Sequence, residues 1–78
     1  MTKCLIEFEQ YLVNQDGKKT NVGKTYIKPD YIIAVVNLWD KSDFIISDVV
    51  GIRDKLGQVT GVKGKIEDIV QMIEEALL

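Results

Sequence analysis

The residues best suited to chemistry lie between positions 61 and 65, where the sequence reads Gly61-Val62-Lys63-Gly64-Lys65. Two glycines and two lysines here precede a helical pattern, and a helix N-terminus offers backbone N–H groups and a positive dipole to an anion. The segment predicts a site for a phosphate-bearing ligand at Gly61, Lys63, Gly64 and Lys65. It is not a Walker motif, which needs Gly-x-x-x-x-Gly-Lys-Ser/Thr. The alternative is a glycine-assisted corner with both lysines in solvent, where charged side chains usually lie.

Catalytic and metal-binding constellations are missing from the sequence. Histidine is absent, which removes the commonest general base and the commonest zinc ligand. Asp40, Asp43 and Asp48 carry carboxylates, but their spacing matches no calcium loop and favours solvated turns. We therefore predict no catalytic residue, no metal, no cofactor and no enzymatic activity.

Charge weighs against a nucleic-acid partner. The formal net charge is -2, whereas a dedicated DNA or RNA binder usually has a basic excess. The first hairpin carries Lys18, Lys19, Lys24 and Lys28, which could form a basic edge for an acidic partner. Lysine on an edge strand is also a common guard against aggregation.

Compartment and domain count follow from size and cysteine use. The 78 residues suffice for a single domain covering 1–78. Cys4 is the lone cysteine, so an intrachain disulfide is impossible and a reducing, cytoplasmic compartment is expected. The N-terminus does not resemble a signal peptide, and no apolar run is long enough to span a membrane.

Hydrophobic periodicity predicts an α+β fold, with a small antiparallel sheet or partly open barrel of four to five strands and one C-terminal helix. Alternation over 3–13 indicates a half-buried strand whose even positions carry the apolar Cys4, Ile6, Phe8 and Leu12, with Cys4 on the inward face beside Ile6 and Phe8. Further strands are expected at 20–28, 31–38, from 44 onward and at 58–63. The continuous apolar run 31–38 predicts a central strand covered on both faces, with Ile33 in the core.

The helix is expected over about 65–78, with Gly64 as its N-cap. Ile66, Ile69, Val70, Ile73 and Leu77 form its apolar stripe. Met72, Ala76 and Leu78 fall outside that stripe, which suggests additional apolar surface. Trp39, next to an exposed turn, is either an interface anchor or a cap on the core.

Two stretches resemble the small flagellar FlbD/SwrD-type proteins and short uncharacterised proteins of bacteria and their phages. Residues 25–35, Thr-Tyr-Ile-Lys-Pro-Asp-Tyr-Ile-Ile-Ala-Val, are similar to their "strand, Asn-Pro-Asp, Ile-x-x-Val" core. Residues 62–70 are similar to their strand-to-helix entry. The resemblance implies a compact β domain of bacterial or phage origin and supplies no catalytic residues.

Together these features predict a non-catalytic protein–protein interaction module that forms homo-oligomers. Trp39, Met72 and Leu78 are the expected interface residues. The alternative function is the binding or sequestering of a nucleotide-like, phosphate-bearing small molecule at the 61–65 segment.

Overall fold

A computed structural model describes residues 5–78 of the chain. The predicted inward-facing Cys4 lies outside the described residues. The elements, in chain order, are β1 (Ile6–Val13), β2 (Lys19–Ile27), a 3-10 turn (Pro29–Tyr31), β3 (Ile32–Trp39), β4 (Ile45–Asp54), β5 (Val59–Lys63) and α1 (Ile66–Leu77). The chain is a small β-rich protein, and the predicted α+β class is confirmed.

All five strands belong to one antiparallel sheet with the order β2-β1-β5-β4-β3. β2 and β3 lie at opposite ends of this order and do not pair, so the sheet is open. The prediction that the third strand is central was wrong, since β3 is an edge strand. An apolar run is compatible with either position, and the order of the strands decides which one is realised.

Three hairpin turns share one construction. The side chain of Asn14, Asp40 or Asp54 accepts hydrogen bonds from the backbone N–H groups two and four residues later. Each turn also has a residue with positive φ three positions after that side chain, namely Gly17, Asp43 and Gly57. Asn and Asp are favoured here because a short side-chain oxygen can bond the backbone of its own turn. Asp40 thus has a structural role, consistent with a turn rather than a cation site.

The main core lies between one face of the sheet and α1. Its buried side chains come from β1, β4, β5 and the helix, and they are Ile6, Phe8, Val50, Ile52, Val62, Ile69, Ile73 and Ala76. Phe8 is 3% exposed and Val62 is completely buried. The predicted inward direction of Ile6 and Phe8 is confirmed, but Leu12, at the same alternation in β1, is 60% exposed.

Ile33 lies outside this core. Its side chain is 59% exposed, and the register between β3 and β4 shifts at this position, between Ile32 and Ala34. The placement of Ile33 in the core was therefore wrong. A bulge inserts one residue without a partner, and this breaks the simple alternation of the strand.

Phe8→Ala is expected to lower the free energy of unfolding by about 3–5 kcal/mol, because it removes a buried aromatic ring and leaves a cavity. That loss is large for a small domain, whose total stability is of order 5–15 kcal/mol. Urea denaturation followed by circular dichroism measures it. Leu56→Ala is the matched control, because Leu56 is exposed in the third hairpin turn. Equal midpoints for the two variants would contradict this description of the core.

Candidate functional site

Gly61 lies within β5, where β1 crosses very close to it. A Cβ atom built on Gly61 would lie 2.5 Å from the carbonyl oxygen of Tyr11. Such an approach excludes every side chain, because the obstacle is backbone and cannot move independently. Packing of β1 on β5 is thus a sufficient reason for a glycine at this position.

Gly64 also has a packing role. Its N–H donates to the carbonyl oxygen of Asp48 at 2.9 Å, and a Cβ atom on it would lie 2.9 Å from Cδ1 of Ile69. The helix N-cap is Lys65, and no side chain caps that end, so the expected cap at Gly64 was wrong. The Gly64 N–H is therefore already occupied within the fold.

The two lysines of the segment face different surroundings. Nζ of Lys63 lies 3.8 Å from a carboxylate oxygen of Glu9. Lys63 also lines a cavity of about 290 Å³ with Tyr11, Lys19, Asp48 and Val49. Lys65 is exposed at the beginning of α1, where Glu67 and Asp68 occupy the first turn. Those carboxylates complement the helix dipole themselves and reduce its attraction for another anion.

A separate cleft of about 340 Å³ opens between β2 and β4. Leu5, Thr25, Tyr26, Ile27, Lys28, Tyr31, Ile52, Asp54 and Thr60 line it. Asp54 is engaged in its own hairpin turn, and Tyr26 donates to Glu7 at 3.1 Å. Within residues 5–78, no buried side-chain polar atom lacks a hydrogen-bond partner. The cleft therefore contains no unpaired buried polar side-chain atom among the described residues.

The two edge strands differ sharply in character. β2 carries Lys19 and Lys24 and is interrupted by a bulge at Gly23, where φ is +110°. β3 runs for eight residues, Ile-Ile-Ala-Val-Val-Asn-Leu-Trp, without a charge or a proline. Lysines and bulges are the devices by which edge strands avoid pairing with other chains. β2 has both lysines and a bulge. β3 has no charged residue, although its register with β4 shifts near both ends.

The β3-facing flank of α1 continues this apolar edge. Val70, Ile73 and Glu74 line a groove of about 160 Å³ with residues 32–35. Val70 and Leu77 are exposed and, being seven residues apart, share one helix face. We call the free edge of β3 together with Ile33, Val70 and Leu77 the β3 surface.

The helix buries a slightly rotated stripe relative to the predicted one. Ala76, expected outside the stripe, is buried with Ile69 and Ile73, whereas Val70 and Leu77 are exposed. The contact with the sheet decides which side chains of the helix are buried. The periodicity of the sequence predicts that apolar stripe only to within one neighbouring position. The expectation that Ala76 adds exposed surface was therefore wrong.

The predicted interface residues are exposed, but they do not form one patch. Trp39 ends β3, and it is 58% exposed beside the exposed Phe44 and Ile45, with Ile45 its cross-strand neighbour. Met72 is exposed on α1, and Leu78 is exposed directly after it. Met72 lies about 160° around the helix from Val70, on the flank away from the groove. Trp39 therefore belongs to the β3 edge, while Met72 belongs to another surface.

The lysines predicted to form a basic edge are partly engaged with the protein. Lys24 lies 3.6 Å from Glu7, and Nζ of Lys19 donates to the carbonyl oxygen of Ser47 at 3.0 Å. Lys18 and Lys28 are exposed on the same hairpin. Exposed ion pairs of this kind contribute little stability, so the edge remains basic without being a concentrated cationic face.

Sequence reasoning did not single out Ile33 or Val70 as surface residues. The available signal was the charge content of the strands, since among the strands of residues 5–78 only 32–39 carries no charged residue. That signal becomes informative only once β3 is known to be an edge strand.

In the part of the chain described, no group of three or more cysteine, aspartate and glutamate side chains is arranged to hold a metal ion. Across residues 5–78, no helix has both the length and the apolar character needed to cross a membrane. Comparison with protein-family models, with curated proteins and with solved structures finds no match.

Gly61→Ala is expected to destabilise the fold strongly, because the new methyl group would overlap the Tyr11 carbonyl and separate β1 from β5. A shift of backbone in a packed region typically costs about 1–3 kcal/mol or more. Thermal unfolding of Gly61→Ala beside Lys63→Ala measures it, since Lys63 is exposed and its replacement should be nearly neutral. A Gly61→Ala variant as stable as the wild type would contradict the packing role of this glycine.

Proposed function

We propose that this chain is a non-catalytic protein-interaction module that self-associates through the β3 surface in a reducing, cytoplasmic-type compartment. The observation that carries the proposal is the free β3 edge, which has no charged residue over eight positions. The resemblance to FlbD/SwrD-type proteins remains a prediction and adds a bacterial or phage origin.

Backbone chemistry supports an interaction role for this edge. In an antiparallel edge strand, half of the N–H and C=O groups point away from the sheet, and a partner strand can satisfy them. The alternating side chains then select the partner by shape and polarity. β3 offers isoleucine, valine, leucine and tryptophan, so an apolar β-branched strand is the matching partner.

The surrounding residues favour protein over nucleic acid. Val70 and Leu77 enlarge the apolar area beside β3, and aromatic and aliphatic anchors such as Trp39 are typical of protein interfaces. The β3 surface as defined contains no lysine or arginine. A nucleic-acid contact would need several such cations to neutralise phosphates.

Self-association can be measured by native mass spectrometry and by sedimentation across the micromolar range. We expect a dimer or larger species, and we expect Trp39→Ala to weaken it because Trp39 extends the β3 edge. Met72→Ser is the matched control, since Met72 lies on the flank of α1 away from the groove. A bare monomer at every concentration, with no bound protein, would overturn the proposal.

A second candidate is the binding of a phosphate-bearing small molecule. The specific observation in its favour is that Lys19 and Lys63 line the same cavity with Tyr11. Asp48 and Glu9 lie at the same place and offset this positive charge. This candidate is therefore weaker than the interaction module.

Calorimetry with a panel of mono-, di- and cyclic nucleotides tests the second candidate. If a nucleotide binds, Lys63→Glu combined with Lys65→Glu should abolish the heat, and added salt should weaken binding to the wild type. The fold should persist because both lysines are exposed. Lys18→Glu combined with Lys28→Glu is the charge-matched control, since both lysines are exposed on the first hairpin. The absence of heat from the wild type with the whole panel would rule out these ligands.

A further inference from the structure

We infer that the occupant of the β3 edge is a second copy of this chain, paired β3 to β3 in antiparallel fashion about a twofold axis. This inference rests on the proposed function and specifies its partner and geometry. Each sheet of five strands would then continue into the other, giving one sheet of ten strands.

The apolar composition of β3 makes it complementary to itself. Cross-strand pairs of β-branched and aromatic residues stabilise antiparallel sheets, and β3 contains Ile32, Ile33, Val35 and Val36 with Trp39 at its end. No like charges oppose one another when the strand pairs with its own copy. The other edge lacks this property, because β2 would bring Lys19 and Lys24 close to a second set of lysines.

Charges at the two ends of β3 favour the antiparallel direction. At its beginning three cations, Lys28, Arg53 and Lys55, outnumber two anions, Asp30 and Asp54, of which Asp54 pairs with Ile32 and Arg53 with Ala34. The N–H of Lys55 donates to the carbonyl oxygen of Tyr31 at 3.0 Å. At its end, Asp40 and Asp43 outnumber Lys41, which already pairs with Asp16. Antiparallel pairing places the beginning of one strand beside the end of the other, so opposite charges meet. Parallel pairing would oppose like charges.

Symmetry also specifies where the helices lie. A twofold axis that relates two antiparallel neighbours in one sheet runs perpendicular to the sheet and preserves its faces. Paired residues must share a face, so the axis passes midway between the two copies of one residue near the middle of the strand, Val35 or Val36. Both α1 helices then lie on the same face, with the groove flanks that carry Val70 and Leu77 turned toward the junction.

Amide hydrogen exchange measured by NMR at low and high protein concentration tests this arrangement. On raising the concentration, the outward-pointing amides of β3 should become protected, while those of β2 should exchange at unchanged rates. Isotope-filtered spectra of a mixed labelled and unlabelled sample should show contacts between the two copies of β3. Exchange at β3 that does not depend on concentration would overturn the inference.

Charge placed on the edge supplies the mutational test. Ile33→Lys should weaken association about tenfold or more, because each copy would carry a cation into the otherwise uncharged β3 junction and would lose an exposed apolar contact there. Val22→Lys is the matched control, since Val22 is an exposed valine on the opposite edge strand. Circular dichroism spectra matching the wild type establish that both variants fold.

The outcomes separate this inference from the proposed function. An oligomer that is unaffected by Ile33→Lys and leaves β3 unprotected would overturn β3 pairing, but self-association itself would stand. A wild-type monomer at every concentration would overturn β3 pairing and the proposed self-association together. Loss of association in Val22→Lys but not in Ile33→Lys would place the interface at β2 and overturn the inference.

Discussion

The close crossing of β1 over β5 is the constraint on which the rest of this fold depends. The two strands share only the pair formed by Gln10 and Val62, and next to it the carbonyl of Tyr11 occupies the space where Gly61 would carry a side chain. On the other face, Val62 is completely buried under α1 with Phe8 and Ile52. Gly61 and Val62 of β5 thus join the hairpin of β1 and β2 to the unit formed by β3, β4 and β5, and Val62 supports α1.

This crossing sets the order of the strands and, through it, the surface available for interaction. Because β1 takes the place beside β5, β3 is left at the far edge of the sheet. The apolar side chains of β3 are therefore only partly covered, by β4 on one side and by α1 across part of one face. The composition of β3 would equally suit a buried strand. It forms an exposed surface because the strand order places it at the edge of the sheet.

The glycines and lysines of the 61–65 segment illustrate how packing and ligand chemistry can share one sequence pattern. Gly61 is needed for the approach of backbone to backbone, and Gly64 has a φ of +142°, which side-chain-bearing residues rarely adopt. Packing and backbone conformation therefore account for the two glycines before the helix, and no ligand is needed to explain them. The lysines remain at the surface, where Lys63 has a carboxylate neighbour.

Sequence alone determined the elements of this protein, because they depend on neighbouring residues. Alternation in β1 gave the inward direction of Phe8, the Asx-containing turns separated the strands, and helical spacing placed α1 within one residue at each end. The order of the strands, the exposure of Ile33 and the burial of Ala76 depended on contacts between residues far apart in the chain. Burial is favourable for every apolar side chain, and only the tertiary structure decides which of them are buried.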